Sequence, residues 1–262
     1  MASMLLHHEK RLEVFMSGAY FAIGFSPITA LAVAIIGILP LSATTLLIVL
    51  PATVLGLGLA LRFPTYGKLA LKGLLIGLIA VFLYDCMRFP FIIAGVWGDF
   101  IPKINMWLFN TSQPNWVVGY AWRYLGDGGF MGMAFTVGYC VLRSRVDSRL
   151  AGLGFGVAIW FCLMGTLILA PHGQEMLFRV TVVTFSLSLL GHLIYGAAIG
   201  ILLPHVCRKE LAGIESIKPA IGLSQDVWNE PLDTEETVKL PPLLRRRPVW
   251  ERKTAALPVL RV

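Results

Sequence analysis

Charge is scarce in this chain: 14% of its 262 residues are Asp, Glu, Lys or Arg, where a soluble domain carries roughly 25%. That shortage excludes an ordinary water-soluble globule. Cysteine is sparse too. Cys86, Cys140, Cys162 and Cys207 form no Cys-x-x-Cys pair, which removes ribbon-type zinc sites and thioredoxin-like centres. Each is expected to be a buried free thiol behaving as a small hydrophobe. No Walker A, His-Glu-x-x-His, Gly-x-Ser-x-Gly or Gly-x-Gly-x-x-Gly sequence stands in a suitable context, and no hydroxyl nucleophile has a recognisable base nearby. A complete catalytic constellation is missing, and no cofactor or metal is expected.

What the chain does hold is apolar surface, at 56% hydrophobic residues. Each membrane span needs around 20 apolar residues to cross about 30 Å of hydrocarbon, and six runs meet that length. They cover about 14–39, 43–61, 69–97, 116–142, 150–170 and 176–203. Pro40-Leu41-Ser42 ends the first, and Pro51 predicts a kink in the second. Ala30-Leu31-Ala32 has the small-x-small look of a signal cleavage site, but the apolar run continues through Leu39, so a retained span is expected. The predicted architecture is an all-α integral membrane protein. Residues 1–13 form a cytoplasmic N-terminus, 14–203 a bundle of about six transmembrane helices, and 204–262 a cytoplasmic, largely disordered tail.

Loop charges fix an orientation. With the N-terminus cytoplasmic, the inner side receives Lys10, Arg11, Arg62, Lys68, Lys72, Arg143, Arg145, Arg149, Arg208 and Lys209, while the outer side holds Lys103 and Arg179. That asymmetry obeys the positive-inside rule and places both termini in the cytoplasm. It also accounts for the net charge of +7 without nucleic acid as a partner. The tail lacks the periodicity of a packed core. Its Arg245-Arg246-Arg247 cluster, beside Val249-Trp250, offers a contact for anionic lipid or for a protein partner.

The outer connector, 98–115, carries Pro102 at the start of an expected short helix, with Ile104, Trp107 and Leu108 dipping into the headgroups. Trp97, Trp107 and Trp116 are expected at the outer interface. Asn110-Thr111-Ser112 matches a glycosylation acceptor, relevant only in a eukaryotic secretory setting. Gly73/Gly77, Gly128/Gly132, Gly152/Gly156 and Gly196/Gly200 have GxxxG spacing, which suits close helix packing.

Two charge pairs interrupt this apolar picture. Asp85 with Arg88 and Arg123 with Asp127 lie inside segments three and four, where a charge costs roughly 3 kcal/mol on insertion scales and is kept for a partner or a task. At a rise of about 1.5 Å per residue, the four sit roughly 10–18 Å below the outer helix ends. They therefore share one layer. Each pair also shares a helix face, at i,i+3 and i,i+4, and a neutral quartet across the antiparallel contact is expected. Pro90 leaves a carbonyl free near Arg88, and Gly126-Asp127-Gly128-Gly129 invites unwinding, a pattern that marks solute and ion sites in transporters.

Secondary polar candidates are His172, Glu175 and Arg179 in the short outer turn, drawn as a lip above the quartet, and His192 in segment six. A segment six starting at Met176 puts His192 roughly 24 Å below the outer end. That depth separates it from His172, excludes a shared haem, and leaves a helix–helix hydrogen bond as its expected role. Gly191-His192-Leu193-Ile194-Tyr195-Gly196 resembles the closing helix of small bacterial membrane proteins, which implies a bacterial inner membrane and no particular activity. Three functions are compatible with these residues. The first is transport of a small solute, ion or proton through the polar layer. The second is a non-enzymatic scaffold or assembly factor. The third is a membrane enzyme acting on lipid or quinone, with His172 and Glu175 as acid–base groups.

Overall fold

A computed structural model describes residues 2–141 and 146–209, with side chains from residue 11 onward. Arg143, Arg145, Arg245, Arg246 and Arg247, and with them the expectation of a disordered tail, lie outside the described residues. Within them every regular element is helical and there is no strand. Five helices are long and apolar enough to cross a membrane: Arg11–Ile36, Leu41–Arg62, Pro64–Ile93, Ser148–Leu169 and Val182–Val206. The chain is thus an all-helical protein compatible with multiple membrane passes.

The elements in order are α1 (Ala2–Ile36) and α2 (41–62), then α3 (Pro64–Ile93) and the short α4 (Ile104–Phe109). The remaining elements are α5 (116–141), α6 (Ser148–Leu169), the single turn α7 (Gly173–Met176) and α8 (Val182–Val206). Two departures from simple α-helix stand out. In α2 the turn Thr45–Val49 is π-helical, directly before Pro51, whose ring and missing N–H disfavour a regular α-turn there. The second is in α5. It is helical throughout, but its middle nine residues, Trp122–Phe130, form a π-helix between α-helical Trp116–Ala121 and Met131–Val141. That wide turn replaces the unwinding expected at the glycine run, and it divides segment four so that neither α-helical piece is long enough to count as a span.

Segment six also starts later than its hydropathy suggests. Leu177–Thr181 is not helical, and α8 begins at Val182 behind a capping box in which the Thr181 and Thr184 hydroxyls each bond the other's backbone N–H. Leu177 and Phe178, read as the first turn of a span, are instead buried in the core.

The long helices follow an arc. α6 packs on α8, α8 on α3, α3 on α5, and α5 on α1, while α2 lies outside against α1 and α3. Glycines set the two closest contacts. Gly73 and Gly77 of α3 face Gly128 and Gly132 of α5, and Gly152 and Gly156 of α6 face Gly196 and Gly200 of α8. A methyl at Gly77 would fall 2.2 Å from the Gly128 carbonyl oxygen, and one at Gly152 would fall 2.3 Å from that of Gly196. Without a hydrophobic drive between helices in lipid, such backbone approach supplies the packing energy. The Ser148 hydroxyl donates to the Gly200 carbonyl (2.9 Å) across the second contact. The two ends of the arc, α1 and α6, touch sparsely.

The connector between α3 and α5 folds inward rather than toward headgroups. Ile101 and Ile104 are buried, and Trp97, expected at the interface, is 2% exposed. Asn105 Nδ2 ties the connector together by donating to the Thr111 hydroxyl and to the Gln113 carbonyl, both at 2.9 Å.

Candidate functional site

The four charges predicted from sequence come together, but not as two separate pairs. Arg123 NH2 reaches across from α5 to Asp85 Oδ1 on α3 at 3.4 Å. Arg88 NH1 stands 3.6 Å from the same oxygen. Arg123 NH1 also faces Asp127 Oδ2 at 3.9 Å, the longest separation in the group. A fifth charge completes the row: Arg88 NH2 bonds Asp99 Oδ1 in the connector at 2.5 Å. The network therefore alternates Asp127, Arg123, Asp85, Arg88, Asp99, with three carboxylates to two guanidiniums.

Asp99 escaped sequence reasoning because it sits in the connector and because Arg88 already had a neighbour one turn back. The available signal was an acid two residues after the apolar stretch Ile92–Trp97. Hydrogen bonds fix its carboxylate in place. Asp99 Oδ1 accepts from the Ile101 backbone N–H (3.2 Å), and Oδ2 accepts from the Tyr120 hydroxyl (3.0 Å). Aromatic faces surround the cations. Arg123 lies over the Tyr84 ring at 4.5 Å, and Arg88 packs against Trp97 (5.7 Å) and Phe100 (5.5 Å).

The network is not saturated. Asp85 Oδ2, Arg88 Nε, Arg123 Nε and Asp127 Oδ1 are buried without a hydrogen-bond partner. Buried polar groups are normally paired, so each is a cost retained in the fold. The members also differ in kind. Asp85, 1% exposed and held between two arginines, has the position of a brace. Asp127, with its one arginine at 3.9 Å and the Trp122 indole beside it, does not.

Beside the network lies a cavity of about 430 Å³, within the size range of small-molecule sites. Its floor carries Arg88, Arg123, Asp127 and His192; its walls are apolar, including Phe25, Ile28, Met131, Leu163 and Phe178. Asp85 does not line it. His192 belongs here because α8 starts at Val182, so that it lies about 15 Å along the helix rather than 24 Å. It packs edge-on against Tyr84 at 5.3 Å. Its expected helix–helix hydrogen bond is not formed. Nδ1 stands 2.7 Å from the Ser188 carbonyl on its own helix. A carbonyl only accepts, so Nδ1 donates; in the neutral ring Nε2 is then the acceptor.

The outer turn does not form a lip. His172 and Glu175 approach each other at 3.5 Å, but their side chains are 58% and 82% exposed. Neither they nor Arg179 are among the residues lining the cavity. The chain sends Leu177 and Phe178 inward instead. Among the described residues, no group of three or more His, Cys, Asp or Glu side chains is arranged to hold a metal. Two of the four cysteines, Cys86 and Cys162, are exposed rather than buried. Cys162 lines the cavity.

No family model matches the chain, and no curated protein or solved structure matches it.

Proposed function

We propose that this chain is a six-span membrane protein with both termini cytoplasmic, and that it binds and translocates a small solute, ion or proton at the polar floor of its cavity. The observation that carries this reading is the cavity itself, which reaches Arg88, Arg123, Asp127 and His192 from between apolar helices. A network serving only to lock α3 to α5 has no need of a space beside it. Binding in a pocket that is mostly apolar, with a few convergent polar groups, is the usual form of a small-molecule site. In the proposed orientation the site falls in the outer half of the membrane, since α1, α3 and α6 end near it while α5 and α8 begin there.

Segment four supplies the sixth pass despite its π-helical centre. Long π stretches are rare and cluster at functional sites, and this one carries both Arg123 and Asp127. The scaffold reading draws support from Asp85, whose place between two arginines is that of a structural tie. Both roles coexist if Asp85 braces and Asp127 works. The enzyme reading has no such support, because His172 and Glu175 point to the surface.

Uptake tests the proposal. Proteoliposomes given a mixed pool of small metabolites, read by mass spectrometry and by a trapped pH dye, are expected to accumulate at least one species or pass protons beyond protein-free vesicles. The double substitution Asp85→Asn with Asp127→Asn is expected to abolish that activity. Unchanged activity in the folded double variant would sink the transport reading.

A further inference from the structure

We infer that the occupant of this cavity is a monocation with an apolar body, such as an aliphatic or aromatic amine, and that it arrives sideways from the lipid between α1 and α6. The inference rests on the proposal that the cavity is a binding site, and it adds both the class of ligand and the route.

Charge balance selects the cation. The connected network holds Asp127, Asp85 and Asp99 against Arg88 and Arg123, a formal excess of one negative charge. Unbalanced charge in a low-dielectric interior is costly, and an anion in the cavity would double the excess. One positive group removes it. The guanidinium charges are also offset: Arg88 lies between Asp85 and Asp99, and Arg123 between Asp85 and Asp127. Acceptor capacity remains among the residues that line the cavity, beside the unpaired Nε–H groups of the two arginines whose charge is already offset. Asp127 lines the cavity with its arginine contact at 3.9 Å, and in the neutral form of His192 the bond that Nδ1 donates leaves Nε2 as the acceptor. An ammonium supplies hydrogen-bond donors that fit both, and aromatic walls such as Phe25 and Phe178 suit the rest of such a molecule.

The route follows from the arc. α1 lines the cavity with the stripe Phe25, Ile28, Thr29, Ala32 and Ile36, and α6 with Ile159, Cys162, Leu163 and Thr166. These helices meet where Phe25 packs edge-on against Phe155, at 5.9 Å. Farther along, Gly37 comes near His172. Between those two points the rim residues Thr29, Ile36 and Cys162 are exposed on the apolar flank of the bundle. An opening there faces acyl chains, so the guest must partition into lipid before it binds.

Cys162 reports on both claims. In nanodiscs of neutral phosphatidylcholine, mass spectrometry follows its alkylation by N-ethylmaleimide, with exposed Cys86, which does not line the cavity, as the internal reference. Three probes of matched shape are compared: phenylbutylammonium, phenylbutanol and phenylbutyrate. The ammonium is expected to protect Cys162, and not Cys86, at concentrations about tenfold below the other two, the factor that one charge-assisted hydrogen bond supplies. Asp127→Asn is expected to erase that preference. A sulfonated, membrane-impermeant thiol reagent is expected to leave Cys162 unmodified while N-ethylmaleimide modifies it.

Stronger protection by phenylbutyrate, or equal protection by all three in the native chain, overturns the cation while leaving a binding site intact. Rapid labelling by the sulfonated reagent overturns the lipid route. Protection by none of the probes overturns the inference, and the uptake assay then decides separately whether the cavity is a site at all. Because the native chain alone gives the probe ranking, a folding defect in the Asp127 variant leaves the test decisive.

Discussion

Asp85 and Asp127 are the same residue type in the same network, and the fold uses them differently. Asp85 is enclosed between Arg88 and Arg123; removing its charge leaves two guanidiniums each short of a partner. Asp85→Asn is expected to destabilise the protein by about 3–5 kcal/mol, the usual cost of breaking a buried pair on one side. Asp127→Asn loosens a contact at 3.9 Å while Arg123 keeps Asp85, and is expected to cost less, about 1–3 kcal/mol, the range for a buried polar group left short of a partner. Denaturation by sodium dodecyl sulfate in mixed micelles measures both; equal losses would show that the two acids are interchangeable. The fifth charge also changes what a reversal should do. Exchanging Asp85 and Arg88 would preserve an isolated intrahelical pair, but here it sets an acid against Asp99 and a base against Arg123. The exchanged protein is expected to misfold. Sequence showed four of these five residues because buried charges stand out in an apolar run. It did not show Asp99, because a contact between a helix and its following connector leaves no periodic trace.

Among the helices, hydropathy located the long segments and misjudged their interiors. Apolar content cannot distinguish helix from a buried irregular strand of chain, which is why Leu177 and Phe178 passed for the start of a span. Nor does it register a π-helix, since widening a turn alters no residue's hydrophobicity. The GxxxG spacings carried more than their number suggested: all four pairs fall in two contacts, α3 with α5 and α6 with α8. Gly77→Ala would set a methyl 2.2 Å from a backbone oxygen that cannot rotate away, and is expected to cost about 1–3 kcal/mol by overpacking. Gly154→Ala meets nothing within 4 Å and is expected to be neutral or stabilising by up to about 1 kcal/mol. Thermal stability in detergent compares the two, and a Gly77→Ala protein as stable as the native one would show that the close approach is dispensable.

For the molecule as a whole, the proposed orientation rests on basic residues on one side of the helices. Arg62, Lys68, Lys72, Arg149, Arg208 and Lys209 gather at one end of the described bundle. A fluorescent protein fused after Lys209 is expected to fluoresce, while alkaline phosphatase inserted at Gln113, in the connector, is expected to be active. The opposite result would invert the bundle and move the cavity to the inner leaflet. On the lateral route inferred above, an arc of helices with an apolar exterior admits a guest through its side without opening a leak from end to end.

Asp85 Oδ1 is the one oxygen that both arginines face. On one side of that atom lies the chamber wall, through Arg123 and Asp127. On the other lies the connector, through Arg88 and Asp99. On the proposed reading, a guest that draws on Asp127 competes with Arg123, and any shift of that arginine bears on Asp99 through Asp85 and Arg88. Occupancy of the chamber is then expected to register in the connector.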